Sequence, residues 1–353
     1  MVLRHFKLKE EPFSTTPDPR FLYKSPVHQQ ALERLVTAVT LRKGINAVLG
    51  EPGLGKTLLI RTLLKGFSDQ VCFAWVFNTT LSAKELVRYI CRDFGFKPKA
   101  KEVGDLLMEL YTFLIGNFEK GLISLLIVDE AQNLQPEVLE EIRQLSNLET
   151  ANKKLIQVIL SGQPQLDVNL DHPSLHQLKQ RICLKAVLTR LSQGETRRYI
   201  RHRLDIAGAR RDDIFTDAAL TAVYEISNGV PRLINQVCDN ALLIAAKRKK
   251  TQVDSVLIRE LLENGVVTSS SPPPVLPRRY MAAYQPEVTP CRAKEKEGNR
   301  KSFSNPEESR NNRKSLSNPE ESRNNRKSLS NSEKLEKKMR DFQELDFGVL
   351  KMH

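Results

Sequence analysis

The sequence is poor in cysteine. Five occur among 353 residues (Cys72, Cys91, Cys183, Cys238 and Cys291), and no two form a CxxC pair. An odd, scattered set excludes a disulfide-framed secreted domain and is typical of reduced thiols in a cytosolic protein. The cysteine usage therefore predicts a protein of a reducing compartment.

Long apolar runs are also absent. No run approaches the roughly 18–20 residues with which a helix crosses a bilayer. The start, MVLRHFKLKEEPF, lacks the apolar core of a secretion signal. We therefore expect a cytoplasmic protein whose contact with a membrane would come through a partner.

The charge is unbalanced, with 55 basic against 42 acidic residues and a net charge of +13. A basic surface of this size fits an anionic partner, such as nucleic acid or the inner face of a membrane. General solubility explains the same composition, and the charge alone does not separate the two.

Up to residue 190, short apolar segments alternate with amphipathic, helix-like ones. Five segments are rich in Val, Ile and Leu without polar alternation: 45–50, 71–78, 122–130, 155–162 and 182–189. Such segments are typical of strands that are covered on both faces in a parallel sheet. The alternation predicts an α/β fold with a doubly wound parallel sheet.

The strand-like segments stop after residue 190, and residues 191–266 form a small all-helical second domain by their pattern. Ser192 and Glu195 have the spacing of a capping box, and Pro231 stands near the first turn of another helix. Beyond this region, residues 267–298 are a Pro/Ser-rich linker by composition. Residues 299–334 repeat a 13-residue unit that is too poor in apolar side chains to build a core, so we expect disorder. The last segment, 335–353, would form an amphipathic helix against a partner or remain a frayed tail.

The first strand runs directly into GEPGLGKT (Gly50–Thr57), which matches the Walker A pattern G-x4-G-K-[ST]. The glycines allow a tight loop whose N–H groups face phosphates at the start of the next helix. We predict that Lys56 contacts the β- and γ-phosphates of ATP and that Thr57 binds Mg²⁺. The predicted nucleotide-binding residues are Gly50, Glu51, Pro52, Gly53, Leu54, Gly55, Lys56, Thr57 and Leu58.

Two adjacent acids, Asp129 and Glu130, end the third apolar segment. Burying two carboxylates without partners is costly, so cationic groups should lie where that strand ends. We interpret Asp129 as a partner of Mg²⁺ that also faces Lys56. Glu130 would orient and polarise the attacking water, and the alternative for it is a solvated acid at a strand end.

These motifs together resemble the AAA+ ATPases of the ExeA/GspA group, which are associated with general secretion and related envelope systems. The phosphate-binding loop and IVDEAQNL carry the resemblance, together with EPFSTTPDPRFLYKSPVHQQAL, LSGQPQL, QRI and NGVPRLIN. It covers about residues 5–265. The resemblance implies an AAA+ P-loop domain over residues 1–190, with an N-terminal segment beside the adenine, and a helical lid over 191–266.

The resemblance also implies roles for four further residues. Asn78 matches the polar residue that holds back the catalytic glutamate, or is a simple turn residue. Gln163 matches the sensor of the γ-phosphate, with Ser161 as the less favoured candidate. Arg181 matches an arginine finger that acts across a subunit boundary, and Arg232 matches a second sensor in the lid. The segment near Phe13 and 21–23 would pack by the adenine or serve the core.

The function implied is an oligomeric, Mg²⁺-dependent ATPase that powers or regulates assembly of a bacterial envelope or secretion-type machine. Secretion-type relatives can carry a transmembrane helix and a peptidoglycan-binding domain after the lid, whereas this chain has the repeat tail, so a membrane-protein partner is implied. One alternative is a DNA-binding regulator that resembles transposition ATPases and uses basic residues of the lid, namely Arg197, Arg198, Arg201, Arg203 and 247–250. Another is a nucleotide-gated switch with little hydrolysis.

Overall fold

Five parallel strands form one sheet in the computed structural model, which describes residues 1–265. The strands are β1 (Ile45–Leu49), β2 (Val71–Val76), β3 (Ile123–Val128), β4 (Ile156–Gly162) and β5 (Ile182–Val187). Their order across the sheet is β2-β3-β4-β1-β5. All five strands predicted from the apolar segments are confirmed, and the parallel sheet with them.

Helices follow or precede each strand. Those of the sheet region are α2 (Pro26–Thr40), α3 (Lys56–Phe67), α4 (Ala83–Asp93), α5 (Val103–Glu119), α6 (Pro136–Leu145), α7 (Gln165–Asn169) and α8 (His176–Arg181). The others are α1 (Val2–Phe6), α9 (Gln193–Ile206), α10 (Asp217–Ser227), α11 (Pro231–Lys247) and α12 (Ser255–Glu263). Within residues 1–265, no helix combines the length and apolar character that a membrane span requires.

The sheet is covered on both faces. Along β3, Leu126 and Val128 belong to the core shared with α4, α5 and α6, while Leu125 and Ile127 belong to the core shared with α2 and α3. Successive side chains of a strand point to opposite faces, so a strand between two helical layers must be apolar throughout. This explains why β3 has no polar alternation, and the doubly wound fold is confirmed.

The order of the strands places three loops together. β4 pairs with β1 on one side and with β3 on the other. Because the strands are parallel, the residues that follow β1, β3 and β4 emerge at the same edge of the sheet. The phosphate-binding loop, the Asp129–Glu130 pair and Gln163 therefore meet there.

The helices α9 to α12 pack in a core of their own, which α1 and Phe13 also join. Local capping defines several of their ends: Ser192 and Glu195 form a capping box at α9, and Asp254 caps α12 by accepting from Leu257 N. The segments at 267–298, 299–334 and 335–353, for which we predict a linker, repeats and a terminal helix, lie outside the described residues.

The connection before α11 crosses the segment that follows β5 at very close range. Leu191 N donates to Gly229 O at 2.9 Å. Gly229 has a φ of +74°, and a Cβ on it would lie 1.9 Å from the carbonyl oxygen of Leu191. Only glycine fits this crossing, for both the backbone angle and the space.

We predict that Gly229→Ala lowers the stability of the protein by at least about 2 kcal/mol, because the new methyl group must displace backbone at a positive φ. The matched control is Gly116→Ala inside α5, where a Cβ would meet nothing within 4 Å. That change should raise stability by about 0.5–1 kcal/mol. Thermal unfolding of both variants tests this prediction. Equal melting temperatures of the two variants would contradict the lack of space for a side chain at Gly229.

Candidate active site

The loop Gly50–Thr57 connects β1 to α3 and depends on two glycines with positive φ, Gly53 at +84° and Gly55 at +93°. At Gly53 there is also no room, because a Cβ would lie 2.8 Å from the Cβ of Arg232. Gly55 is a fixed glycine of the Walker A pattern, whereas Gly53 stands at one of its variable positions and is glycine where the backbone turns and α11 approaches the loop.

Lys56 lies folded back over the loop. Its Nζ donates to Gly50 O at 2.8 Å and to Glu51 O at 3.2 Å, and the residue is 5% exposed. Burial lowers the pKa of Lys56, while the carboxylates of Glu130, Asp129 and Glu51 act to raise it. Lys56 is thus close enough to Asp129 and Glu130 for their charges to act on its pKa, as predicted for the acid pair.

Two further loop carbonyls are also bonded to protein. Gly53 O accepts from Arg232 N at 3.2 Å, and Leu54 O lies 2.9 Å from Nε2 of His28. The first N–H groups of a helix have no intrahelical acceptor, and here the helix is α3, which begins at Lys56. With these carbonyls bonded to protein and the first N–H groups of α3 without intrahelical acceptors, the loop offers donors of the kind that bind phosphate.

His28, on α2, supports the loop in one defined protonation state. A carbonyl oxygen can only accept, so Nε2 carries a proton toward Leu54. Burial lowers the pKa of His28, so the ring is neutral at neutral pH with its proton on Nε2. Nδ1, 2.8 Å from Ser25 Oγ, then accepts the proton of that hydroxyl. No motif of the sequence assigns this role to His28, since its partner Leu54 lies 26 positions away.

Asp129 is fixed at the end of β3 by two hydroxyl groups. Thr57 Oγ1 donates to Oδ2 at 3.0 Å, and Ser161 Oγ donates to Oδ1 at 2.7 Å. The carboxylate is 7% exposed. A hydroxyl and a carboxylate side by side are the oxygen ligands that Mg²⁺ takes beside substrate phosphates, so Thr57 and Asp129 fit the metal predicted for them.

Glu130 adopts a left-handed backbone conformation, with a φ of 51°. Such a conformation is uncommon outside glycine and costs about 1–3 kcal/mol. Two amides hold its carboxylate: Gln132 Nε2 at 2.7 Å and Gln163 Nε2 at 3.3 Å from Oε2. Gln163 is thereby placed against Glu130. Gln132 also accepts from Gln163 N at 3.0 Å. The sequence motifs assign no role to Gln132, and the one feature that could have indicated this role is its position in DEAQN, two residues after Glu130.

Two predicted site residues lie apart from this group. Asn78 accepts from the backbone and the hydroxyl of Thr80, at 3.0 and 2.8 Å, and no contact joins it to Glu130 among the described residues. Its surroundings are those of a turn. Arg181 is exposed at the end of α8, where it donates to the side chain of Asn147.

A half-buried ion pair that no sequence motif indicates joins the loop to the segment after β5. Arg190 Nε lies 3.1 Å from Glu51 Oε2, and the two side chains are 15% and 16% exposed. Arg190 follows β5 by three residues. The sequence therefore shows a cation after the end of a strand, but it does not show that this cation pairs with Glu51.

A cleft of about 400 Å³ lies between the loop and the helices α9 and α11. Its walls include residues 14–18, the loop from Pro52 to Leu58, Glu130 and Arg232. The N-terminal segment therefore lies next to the cleft, but the residues that line it are 14–18 and not the predicted Phe13 and 21–23. Phe13, Phe21 and Leu22 are 2%, 4% and 5% exposed and serve packing.

The basic residues on α9 are largely engaged within the protein. Arg197 and Arg201 both lie within 4 Å of Asp217, and Arg198 donates to Tyr23 OH. Arg203 is 4% exposed. At the end of α11 and beyond, Arg248 pairs with Glu260 and Lys250 with Asp254. These pairs reduce the charge that this face offers to DNA.

Comparison with known proteins agrees with the fold. A family model described as AAA domain matches residues 39–170. Among solved structures, the chain is similar to the ORC2 protein of Aeropyrum pernix, with a TM-score of 0.58 and 18% identity over 72% of this chain and 71% of that one. It is also similar to the Cdc6 protein of Pyrobaculum aerophilum, with a TM-score of 0.54 and 20% identity over 69% and 67%. The chain has the fold of an AAA+ P-loop protein.

A curated relative makes the resemblance more specific. The chain is 42% identical over 250 residues to General secretion pathway protein A of Aeromonas hydrophila. The match covers 70% of this chain and 45% of that protein, so the chain spans less than half of the relative's length. The resemblance to the ExeA/GspA group of AAA+ ATPases is confirmed.

We predict that His28 makes stability depend on pH. Burial depresses the pKa of His28, so the folded form binds fewer protons than the unfolded form, in which histidine titrates near about 6.5. The stabilisation is complete above that pH and is lost as pH falls through it. His202, whose pKa burial also lowers, contributes in the same window.

Melting temperatures between pH 8 and pH 5.5 test this effect. His28→Gln should flatten the loss of stability on acidification without abolishing it, since His202 remains. His172→Gln is the matched control and should follow the wild type; the exposed ring of His172 bonds to the neighbouring Ser174. An unchanged slope in His28→Gln would contradict a neutral ring under the loop.

Proposed function

We propose that the protein binds ATP with Mg²⁺ in the cleft between the sheet and the helices α9 and α11 and hydrolyses it. The observation that carries the proposal is the convergence at one sheet edge of Lys56, the Thr57–Asp129–Ser161 group and the strained Glu130. An isolated Gly-rich turn would not need this set of buried oxygen and amine partners.

The roles follow from the contacts. The N–H groups of the loop and Lys56 bind the phosphates, and Thr57 and Asp129 would hold Mg²⁺, which would neutralise charge on the phosphate oxygens. Glu130 orients the attacking water. Gln132 and Gln163 hold the Glu130 carboxylate, and Gln163 is suited to respond when the γ-phosphate leaves. Arg232, beside Gly53, lies where a lid residue can contact the phosphates.

The work driven by hydrolysis is, we propose, the assembly or regulation of an envelope machine of the general secretion type. The identity to General secretion pathway protein A supports this proposal over 70% of the chain. A membrane-protein partner would bring the ATPase to the envelope. The internal pairing of the α9 arginines gives no specific support to a DNA-binding role.

The acting form is proposed to be a homo-oligomer. Arg181 lies on the exposed end of α8, outside its own cleft. A cation in this position is available to a neighbouring subunit and not to the phosphates of its own chain. A finger of this kind stabilises charge on the transferring phosphoryl group.

Two substitutions test the chemistry. Lys56→Ala should abolish ATP binding, because it removes the buried ammonium of the loop. Glu130→Gln should retain ATP binding but slow hydrolysis by about 10²–10⁴-fold, because an amide cannot polarise the water as a carboxylate does. Binding is measured by calorimetry and turnover by phosphate release. Exposed Lys65→Ala and Glu137→Gln are matched controls, and wild-type turnover in Glu130→Gln would sink the assignment of the water-orienting group.

Mixed oligomers test the finger. Arg181→Ala and Glu130→Gln should each be nearly inactive alone. Mixed together, they should regain part of the activity, because a site with Glu130 intact then faces a neighbour with Arg181 intact. Lys179→Ala, two residues earlier on α8, is the control and should behave as the wild type. A strictly monomeric active enzyme, or a mixture without any recovery, would overturn the trans-acting role.

A further inference from the structure

Asn235 is a buried polar residue in the wall of the cleft to which none of the motifs assigns a role. It is 6% exposed and lines the same cleft as Lys56 and Arg232. Asn235 follows Arg232 by three residues on α11, which is about 4.5 Å along a helix axis. Arg232 N bonds to Gly53 O, so Asn235 lies about one helical turn farther along α11 from that contact.

A chain of hydrogen bonds fixes the direction of the Asn235 amide. Arg203 Nη1 donates to Tyr199 OH at 3.0 Å, and Tyr199 OH lies 2.8 Å from Asn235 Oδ1. A guanidinium has only donors, so the tyrosine oxygen accepts from Arg203 and its own proton goes to Asn235. The Oδ1 atom of Asn235 therefore faces Tyr199, and the NH₂ group faces away from it.

The reverse orientation of the amide is disfavoured. If the NH₂ group of Asn235 faced Tyr199, the tyrosine oxygen would receive two donors, and the hydroxyl proton would lose its acceptor. Tyr199 is 6% exposed, and an unpaired buried donor costs about 1–3 kcal/mol. Burial also raises the pKa of Tyr199, so its hydroxyl keeps the proton at neutral pH.

Arg203, the first member of this series of hydrogen bonds, is itself held in place by several contacts. It donates to Pro12 O and to Ser14 O, and its guanidinium lies 4.8 Å from the centre of the Phe21 ring. The carbonyls belong to the N-terminal segment that enters the cleft at Ser14. The positions of this cleft wall and of the Asn235 amide are therefore coupled through Arg203.

The nitrogen of Asn235 is left for a ligand. In the part of the chain that the structure describes, the side chain of Asn235 makes no hydrogen bond besides that with Tyr199. Nδ2 is also not one of the unpaired polar atoms that the described protein encloses completely, so it reaches the space of the cleft. The amide nitrogen is therefore an accessible donor on a largely buried side chain that lines the cleft.

We propose that Asn235 donates a hydrogen bond to the nucleoside part of the nucleotide, at a ring nitrogen of the base or an oxygen of the ribose, and that Arg203 and Tyr199 are positioning residues that orient it. This inference rests on the proposed binding of ATP and adds the recognition of its nucleoside. The phosphates are served by the loop at the other end of the cleft.

Asn235→Asp tests the donor with little change of shape. The carboxylate still accepts from Tyr199 OH, but it presents a negatively charged acceptor where the NH₂ group stood. We expect ATP binding to weaken about tenfold or more, as when one hydrogen bond is lost and two acceptors are opposed. Binding of tripolyphosphate, which has the phosphates without the nucleoside, should be unchanged, and this also shows that the loop is folded.

Tyr199→Phe tests the positioning. It removes the hydroxyl that links Arg203 to the amide, so Asn235 can rotate, and ATP affinity should fall several-fold with tripolyphosphate affinity again unchanged. Combined with Asn235→Asp, it should add little. Asn240→Asp on the same helix, where the amide donates to Gln236 O, is the matched control and should bind both ligands as the wild type.

The outcomes separate this inference from the proposed function. Loss of ATP affinity alone in Asn235→Asp and Tyr199→Phe supports it. Wild-type ATP affinity in Asn235→Asp, or an equal loss for ATP and tripolyphosphate, overturns it while ATP binding itself stands. A wild-type protein that binds neither ligand overturns the proposed function, and the inference with it.

Discussion

The site depends on one buried carboxylate, that of Asp129, and on the two hydroxyl groups that hold it. Thr57 comes from the start of α3 and Ser161 from β4, and both donate to Asp129 at the end of β3. A buried carboxylate without such partners would be too costly to keep. The two bonds tie together the loop and two strands, and they set the oxygen ligands at the place where phosphates enter.

The loop is held from several sides by groups that bind its carbonyl oxygens. Lys56, His28 and the backbone of Arg232 bond to them from α3, α2 and α11. The loop can therefore face an anion with its N–H groups without leaving buried acceptors unpaired. This arrangement also connects the helical core with one of the two cores that cover the sheet, because α11 belongs to the former and Leu54 of the loop to the latter.

Contacts with the phosphate end and with the other end of the cleft come from different parts of the chain. The loop and the acid pair lie at the carboxyl edge of the sheet, where ligands bind in open α/β sheets. Tyr199, Arg203 and Asn235 come from the helices that follow the sheet, and Arg203 reaches back to the N-terminal segment. A movement of the helices relative to the sheet would change both ends of the cleft together.

The sequence by itself determined the five strands, the Walker A loop, the acids at the end of β3 and the capping box of α9. These are features of local spacing, in which each residue and its partner lie within a few positions, so pattern and chemistry identify them. The tertiary structure alone decided that Gln132 and Gln163 share Glu130, that His28 supports Leu54, and that Asn78 bonds to Thr80. It also decided the contact of Arg203 with Pro12, 191 residues away in sequence. Such contacts depend on how the helices pack on the sheet and on each other, and no local pattern records which distant side chain that packing brings within hydrogen-bonding distance.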